Sequence, residues 1–157
     1  MSENYKTKKL FDEGAATYLK KDYKTCIKLF TQALKHDRKS ALVYFSRGTA
    51  YLKLNKFKKA ISDFARAIRL NPTYARAYHM RGLAYEMMGD FAPAFRDYDQ
   101  ALEIDPDLAI AYRSRDSVLD KTINDRLQME DGEIADHLAT MRVAQFTADK
   151  ILRDPEI

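Results

Sequence analysis

The sequence predicts an all-α array in which helix pairs are stacked three deep and closed by further helices toward the C-terminal end. Three observations carry that prediction. Glycines recur at Gly14, Gly48 and Gly82, 34 residues apart each time. Around them, apolar residues return at helical intervals of three and four. The chain has only 5 Gly and 4 Pro in 157 residues, too few for the many turns of a hairpin-rich β fold.

The register around each glycine defines the repeating unit. Leu10, Tyr44 and Tyr78 precede it by four positions, and Thr17, Tyr51 and Tyr85 follow by three. Tyr23, Phe57 and Phe91 follow by nine, and Cys26, Ala60 and Ala94 by twelve. Phe30, Phe64 and Tyr98 follow by sixteen, Ala33, Ala67 and Ala101 by nineteen, and Arg38, Pro72 and Pro106 by twenty-four. In unit two, Tyr44, Gly48 and Tyr51 share a face of the first helix, and Ala60, Phe64 and Ala67 share a face of the second.

The pairs Lys21-Asp22, Asn55-Lys56 and Gly89-Asp90 separate the two helical patterns and are expected as turns. Asp90 is expected to cap the helix it precedes, with Pro93 in the first turn, where a missing N–H does little harm. Asn71-Pro72 and Asp105-Pro106 stop the second helices. Each repeat glycine lets its two helices approach closely, with the small residue twelve positions on expected opposite it. One unit cannot bury its apolar face alone, so units must stack. The boundaries are an N-terminal tail at 1–6 and units at 7–40, 41–74 and 75–108. Arg47 and Asp63, and likewise Arg81 and Asp97, stand sixteen residues apart. They are expected as ion pairs within a unit, each contributing about 0–1 kcal/mol if partly exposed.

The pattern begins a fourth time with Ala109, Tyr112 and Leu119, but Asp116 stands where glycine is due. A carboxylate does not fit a close helix crossing, so residues 109–130 are expected as a capping helix with the stripe Tyr112, Leu119, Ile123 and Leu127. Glu130-Asp131-Gly132-Glu133 forms a break. Within residues 131–157 a last helix is expected at 133–152, with the stripe Ile134, Leu138, Met141, Ala148 and Leu152. Val143 and Phe146 lie off that stripe, and Asp154-Pro155 ends it. Three placements stay open for this helix: a second cap, a filler of the chain's own groove, or a pairing element for another copy.

The aromatic–Gly–aromatic, Ala, aromatic, Ala, Pro order at a 34-residue period resembles the tetratricopeptide repeat (TPR) family over residues 7–108. The match is strongest in the second and third units. The first has Leu10, Thr17 and Arg38 at motif positions, as suits a terminal repeat. The resemblance implies a right-handed α-solenoid of three TPR helix pairs plus C-terminal capping helices, with a concave groove lined by first helices. In that register the groove residues are Phe11, Ala15 and Tyr18, then Leu42, Phe45, Thr49 and Leu52. Arg76, His79, Met80, Leu83 and Met87 follow from the third unit, and Arg113 from the cap. This set is apolar for a surface, which marks an interaction site, and its methionines are adaptable. Arg76, His79 and Arg113 would suit a carboxylate on the ligand.

One TPR subclass holds acidic chaperone C-termini through a carboxylate clamp. The clamp needs basic and amide side chains where this chain has Phe11, Ala15, Ser46 and Met80. Only Arg76 is a fair substitute, so chaperone-tail binding by that route is not expected.

No constellation for catalysis stands out. His36, His79 and His137 are isolated, and none is paired at metal-ligand spacing. The single cysteine, Cys26, stands where the other units have alanine and reads as a small buried thiol. Phosphate-binding glycine patterns are missing. No cofactor, metal or enzymatic activity is expected. The sequence offers no run of about 20 apolar residues for a membrane span and no secretory signal, and with one cysteine it suits the cytoplasm.

The net charge of +4 conceals an asymmetry. Residues 1–70 carry 17 Lys or Arg against 6 Asp or Glu, and residues 71–157 carry 10 against 17. The lysines fall mostly on second helices and turns, so nucleic-acid binding is not expected. The expected function is a non-enzymatic protein-interaction module, an adaptor, scaffold or assembly factor that binds a partner peptide or helix. The alternative is a self-associating scaffold that forms a homodimer or larger oligomer through its groove or last helix.

Overall fold

The computed structural model describes residues 2–127 and 139–146. The helices are α1 (Glu3–Leu19), α2 (Tyr23–His36), α3 (Ala41–Lys53), α4 (Phe57–Leu70), α5 (Ala75–Met87), α6 (Phe91–Ile104) and α7 (Ala109–Leu127). Residues 139–146 are also helical. The expected break at 130–133 and the stripe positions Ile134, Leu138, Ala148 and Leu152 lie outside the described residues.

Local chemistry sets the helix ends. The side chains of Ser2, Asp22 and Ser40 accept hydrogen bonds from the N–H groups of Tyr5, Thr25 and Val43, so α1, α2 and α3 each start with a side-chain acceptor for an orphan donor. Ser2 starts α1 at Glu3, inside the segment expected as a tail. Asp90 occupies the cap position of α6 but makes no capping bond, contrary to expectation. The reason is Pro93. By analogy with Asp22 and Thr25, the group to be capped stands three residues on, and proline has no N–H to offer. Within each pair, the tight turn uses one left-handed residue at the same place in the unit: Lys21 (φ 61°), Asn55 (φ 56°) and Gly89 (φ 82°).

Each pair packs around its second helix. Cys26, Phe30 and Ala33, then Ala60, Phe64 and Ala67, then Ala94, Tyr98 and Ala101 are all at most 2% exposed. Burial of each large ring contributes about 1.5–3 kcal/mol. The glycine crossings differ from expectation in one respect. The group over each glycine is the aromatic sixteen positions on. A Cβ on Gly48 would stand 2.8 Å from the Phe64 ring, and one on Gly82 would stand 2.8 Å from the Tyr98 ring. The small residues lie one turn earlier on the second helix. The Ala94 carbonyl oxygen stands 3.1 Å from a Cβ added to Gly82, farther than the Tyr98 ring.

The ion pairs form as expected in partner but not in depth. The Arg47 Nε and Nη2 groups donate to Asp63 at 2.7 and 2.8 Å, and the Arg81 fork grips Asp97 at 2.8 and 2.7 Å. Asp63 is 5% and Asp97 6% exposed, so the weak surface regime does not apply. Arg47 also reaches back to Thr31 Oγ1 at 3.1 Å, tying α2, α3 and α4 together.

α7 caps the array against α6. Its buried residues are Ala111, Arg115 and Val118, while Tyr112, Leu119 and Ile123 of the expected stripe flank them half-buried. Asp116 points outward, with its side chain 57% exposed, so the helix docks without the close crossing a glycine permits. Arg115 repeats the position of Arg47 and Arg81 and bonds Asp99 at 3.3 Å.

Successive pairs meet through α2 and α3, α4 and α5, and α6 and α7. First helices also touch one another, α3 with α5 and α5 with α7, without comparable contact between α2 and α4 or between α4 and α6. From the second layer on, the array therefore curves with its first helices inside.

Candidate functional site

The inner face is built by α1, α3, α5 and α7. Each is held from behind by a second helix, so its forward side chains are fixed by the ring stack beneath them. Phe11 stacks on Phe30 with ring centroids 5.5 Å apart. Phe45 packs between Phe64 at 5.8 Å and Tyr74 at 4.9 Å, with the Arg76 guanidinium 5.7 Å from its centroid. Tyr18 meets Tyr23 edge-on at 5.3 Å, and burial pushes its phenol above the ordinary range.

The thirteen groove positions divide by depth. Leu42 and Met87 are each 49% exposed, and Arg76 and Arg113 are also open to solvent. Leu19, at the end of α1, and Ile110, in the first turn of α7, are also exposed apolar side chains on first helices. Phe11, Ala15, Tyr18, Phe45, Thr49, Met80 and Leu83 are half-buried. Thr49 turns its hydroxyl back onto the Phe45 carbonyl at 2.9 Å, so it offers its methyl outward more than its polarity. Leu52 is buried in the cluster of Ala60, Phe64 and Ala84.

His79 is buried as well. Its Nε2 lies 3.1 Å from Ser114 Oγ on α7, and its ring is 5.4 Å from Tyr98. Burial pulls its pKa below the ordinary value, an effect that nearby Glu86 opposes and Arg76 reinforces. It therefore locks α5 to α7 as a neutral ring.

The sequence did not point to the polar cluster behind it. Tyr98 donates its hydroxyl to Glu86 Oε2 at 2.7 Å, and Lys121 donates to Glu86 Oε1 at 2.6 Å. Burial is the main force holding the Tyr98 phenol protonated, and the Glu86 carboxylate adds to it. Glu86 is thus engaged by its own chain, which leaves Arg76 and Arg113 as open cations near the third unit. A signal did exist: both His79 with Ser114 and Glu86 with Lys121 are separated by 35 residues, one more than the repeat.

The Cys26 thiol is buried, and that burial pushes it up to about 11, so it is not a ready nucleophile. Among the described residues no group of His, Cys, Asp and Glu could hold a metal ion. No described helix is long and apolar enough to cross a membrane.

Comparison with known proteins places this geometry. Residues 48–89 match a family described as TPR repeat, and residues 75–108 match one described as Tetratricopeptide repeat. No curated protein matches the chain significantly by sequence. Among solved structures, the Sgt2 TPR domain from Aspergillus fumigatus is 27% identical, with a TM-score of 0.75, over 80% of this chain and 84% of that one. The first TPR of Spaghetti (RPAP3), bound to the HSP90 peptide SRMEEVD, is 27% identical with a TM-score of 0.74, over 75% of this chain and 94% of its own. The second TPR domain of human RPAP3, in complex with the HSP70 peptide SGPTIEEVD, is 26% identical with a TM-score of 0.72, over 74% and 97%.

Proposed function

Because the chain is a tetratricopeptide repeat protein, we propose that its inner face holds a segment of a partner protein, with the chain acting as a non-catalytic adaptor or assembly factor. The observation that carries this is that every first helix leaves a large apolar side chain open, at the C-terminal end of α1 and α5 and in the first turn of α3 and α7. Leu19 is 82%, Leu42 49%, Met87 49% and Ile110 47% exposed, one from each of α1, α3, α5 and α7. Half-buried Phe11, Tyr18, Phe45, Met80 and Leu83 lie between those ends, and apolar side chains open on every layer of a folded array support an interaction surface. Arg76 and Arg113 border its third-unit end and favour an acidic residue on the ligand.

Two of the similar structures hold chaperone peptides ending in EEVD. The clamp chemistry for such tails does not carry over. Phe11 is stacked on Phe30 and Ala15 is a methyl, so the first unit presents carbon where a clamp needs cation and amide. The ligand that fits is an apolar segment with one acidic anchor.

A random peptide library selected on the native chain tests this. Enriched peptides should combine apolar residues with an acidic one. The double variant Leu42→Glu, Met87→Glu should bind them at least about ten-fold more weakly, equivalent to 1.4 kcal/mol. Both positions are about half exposed, so the helical circular dichroism should be kept. Phe45 is unsuited to this test because it joins two core clusters. Equal binding by the folded double variant refutes the proposal.

A second reading is self-association through the C-terminal part. It is favoured by Met141, Val143 and Phe146, which are 56%, 65% and 68% exposed on the helical segment 139–146. Sedimentation should then show a mass that rises with concentration, and a constant monomer mass removes this reading.

A further inference from the structure

A separate feature lies on the outer face. The helices α2 and α4 stand apart over α3, and between them runs a cleft of about 410 Å³, lined among others by Thr31, Lys35, Arg38, Tyr44, Arg47 and Arg66. Four of these carry positive charge. Arg47 is engaged by Asp63 and Thr31. The other three have no carboxylate within ion-pair distance among the described residues. Arg66 only rests 5.9 Å from the Tyr44 ring centroid.

The fold does not require this convergence. Tyr44 and Arg47 recur one unit later as Tyr78 and Arg81, and again as Tyr112 and Arg115. The positions of Lys35, Arg38 and Arg66 become Arg69, Pro72 and Gln100 in the next cleft. In the cleft after that, the first two become Glu103 and Pro106. The cation trio belongs to the first cleft alone. Uncompensated like charges at one place repel one another, and a bound anion relieves that repulsion.

We propose that this outer cleft binds a phosphate monoester carried on a segment of a partner protein. A phosphorylated side chain brings nearly two charges and three acceptor oxygens, which two arginines and a lysine can meet together. The cleft exceeds a phosphate group several-fold, leaving room for flanking backbone. A single-stranded nucleic acid fits less well, because it needs open aromatic faces. Tyr44 is half-buried with Arg47 and Arg66 guanidinia near its ring, and Tyr51 has Arg47 and Lys59 near its own.

The test is a titration followed by amide NMR at fixed ionic strength. The probes are a Gly/Ala peptide with a central phosphoserine, the same peptide unphosphorylated, inorganic phosphate and a short oligonucleotide. The phosphopeptide should give saturable shifts around Lys35, Arg38, Tyr44 and Arg66, and it should bind more tightly than inorganic phosphate. The double variant Arg38→Gln, Arg66→Gln should bind at least about ten-fold more weakly, as expected for losing charge-assisted bonds. The converse variant Pro72→Arg, Gln100→Arg should gain shifts around Tyr78, which keeps the proposal testable if the first variant unfolds. Equal response to both peptides overturns it, as does undiminished binding by the folded double variant. An oligonucleotide that binds this cleft more tightly than the phosphopeptide overturns it in favour of nucleic acid.

Discussion

Removing the two partners of the Arg47–Asp63 pair one at a time should destabilise the array unequally. With Arg47→Met, the Asp63 carboxylate loses both donors, at 2.7 and 2.8 Å, in a site where its side chain is 7% exposed. Breaking a buried pair so that a charge is stranded costs about 3–5 kcal/mol. With Asp63→Ala, the guanidinium keeps Thr31 at 3.1 Å, stays near the Tyr44 and Tyr51 rings, and is 17% exposed to water. That loss should be about 2 kcal/mol, at the level of charged hydrogen bonds alone. Urea unfolding followed by circular dichroism measures both, comparing midpoints because repeat arrays need not unfold in one step. Equal losses in the two variants, or an Asp63→Ala loss larger than that of Arg47→Met, refute this account of the pair.

Two further outcomes follow from the turns and from the α5–α7 contact. Lys21→Gly should raise stability by about 0.5–1 kcal/mol, because a left-handed residue with a side chain costs about 1–2 kcal/mol and glycine returns part of that as entropy; an unchanged or lower urea midpoint counts against it. His79 should make stability fall in mild acid. Its folded pKa lies below the unfolded one, so its contribution is complete above the ordinary value of about 6.5 and declines as pH drops beneath it. His79→Gln should flatten the urea midpoint between neutral and mildly acidic pH, and an unaltered slope contradicts the assignment.

The period was readable from three glycines because each sits under a ring that leaves no room for a Cβ. The pairing of Arg47 with Asp63 was readable for the same reason, since a fixed crossing turns a separation of sixteen into contact. Details that depend on two features at once were not. Asp90 signals a cap, but Pro93 removes the group it would cap. Groove depth was half legible. Register placed Leu42 and Met87 on the open side. It could not show that Leu52 is covered by its neighbours or that Ser114 draws His79 inward, because both depend on packing between units. The α7 stripe was misplaced by one position because the apolar pattern suggested Tyr112, while the helix buries the smaller Ala111 and the long Arg115 stem.

The reach of Arg47 back to Thr31 has a mechanical consequence. It rivets the first two layers through a side chain, whereas Arg81 has Ala65 at the matching place and nothing there to grip. Pulled from its ends, the molecule should part first along the seam between its second and third layers, because the third is tied onward to α7 by His79–Ser114 and Glu86–Lys121.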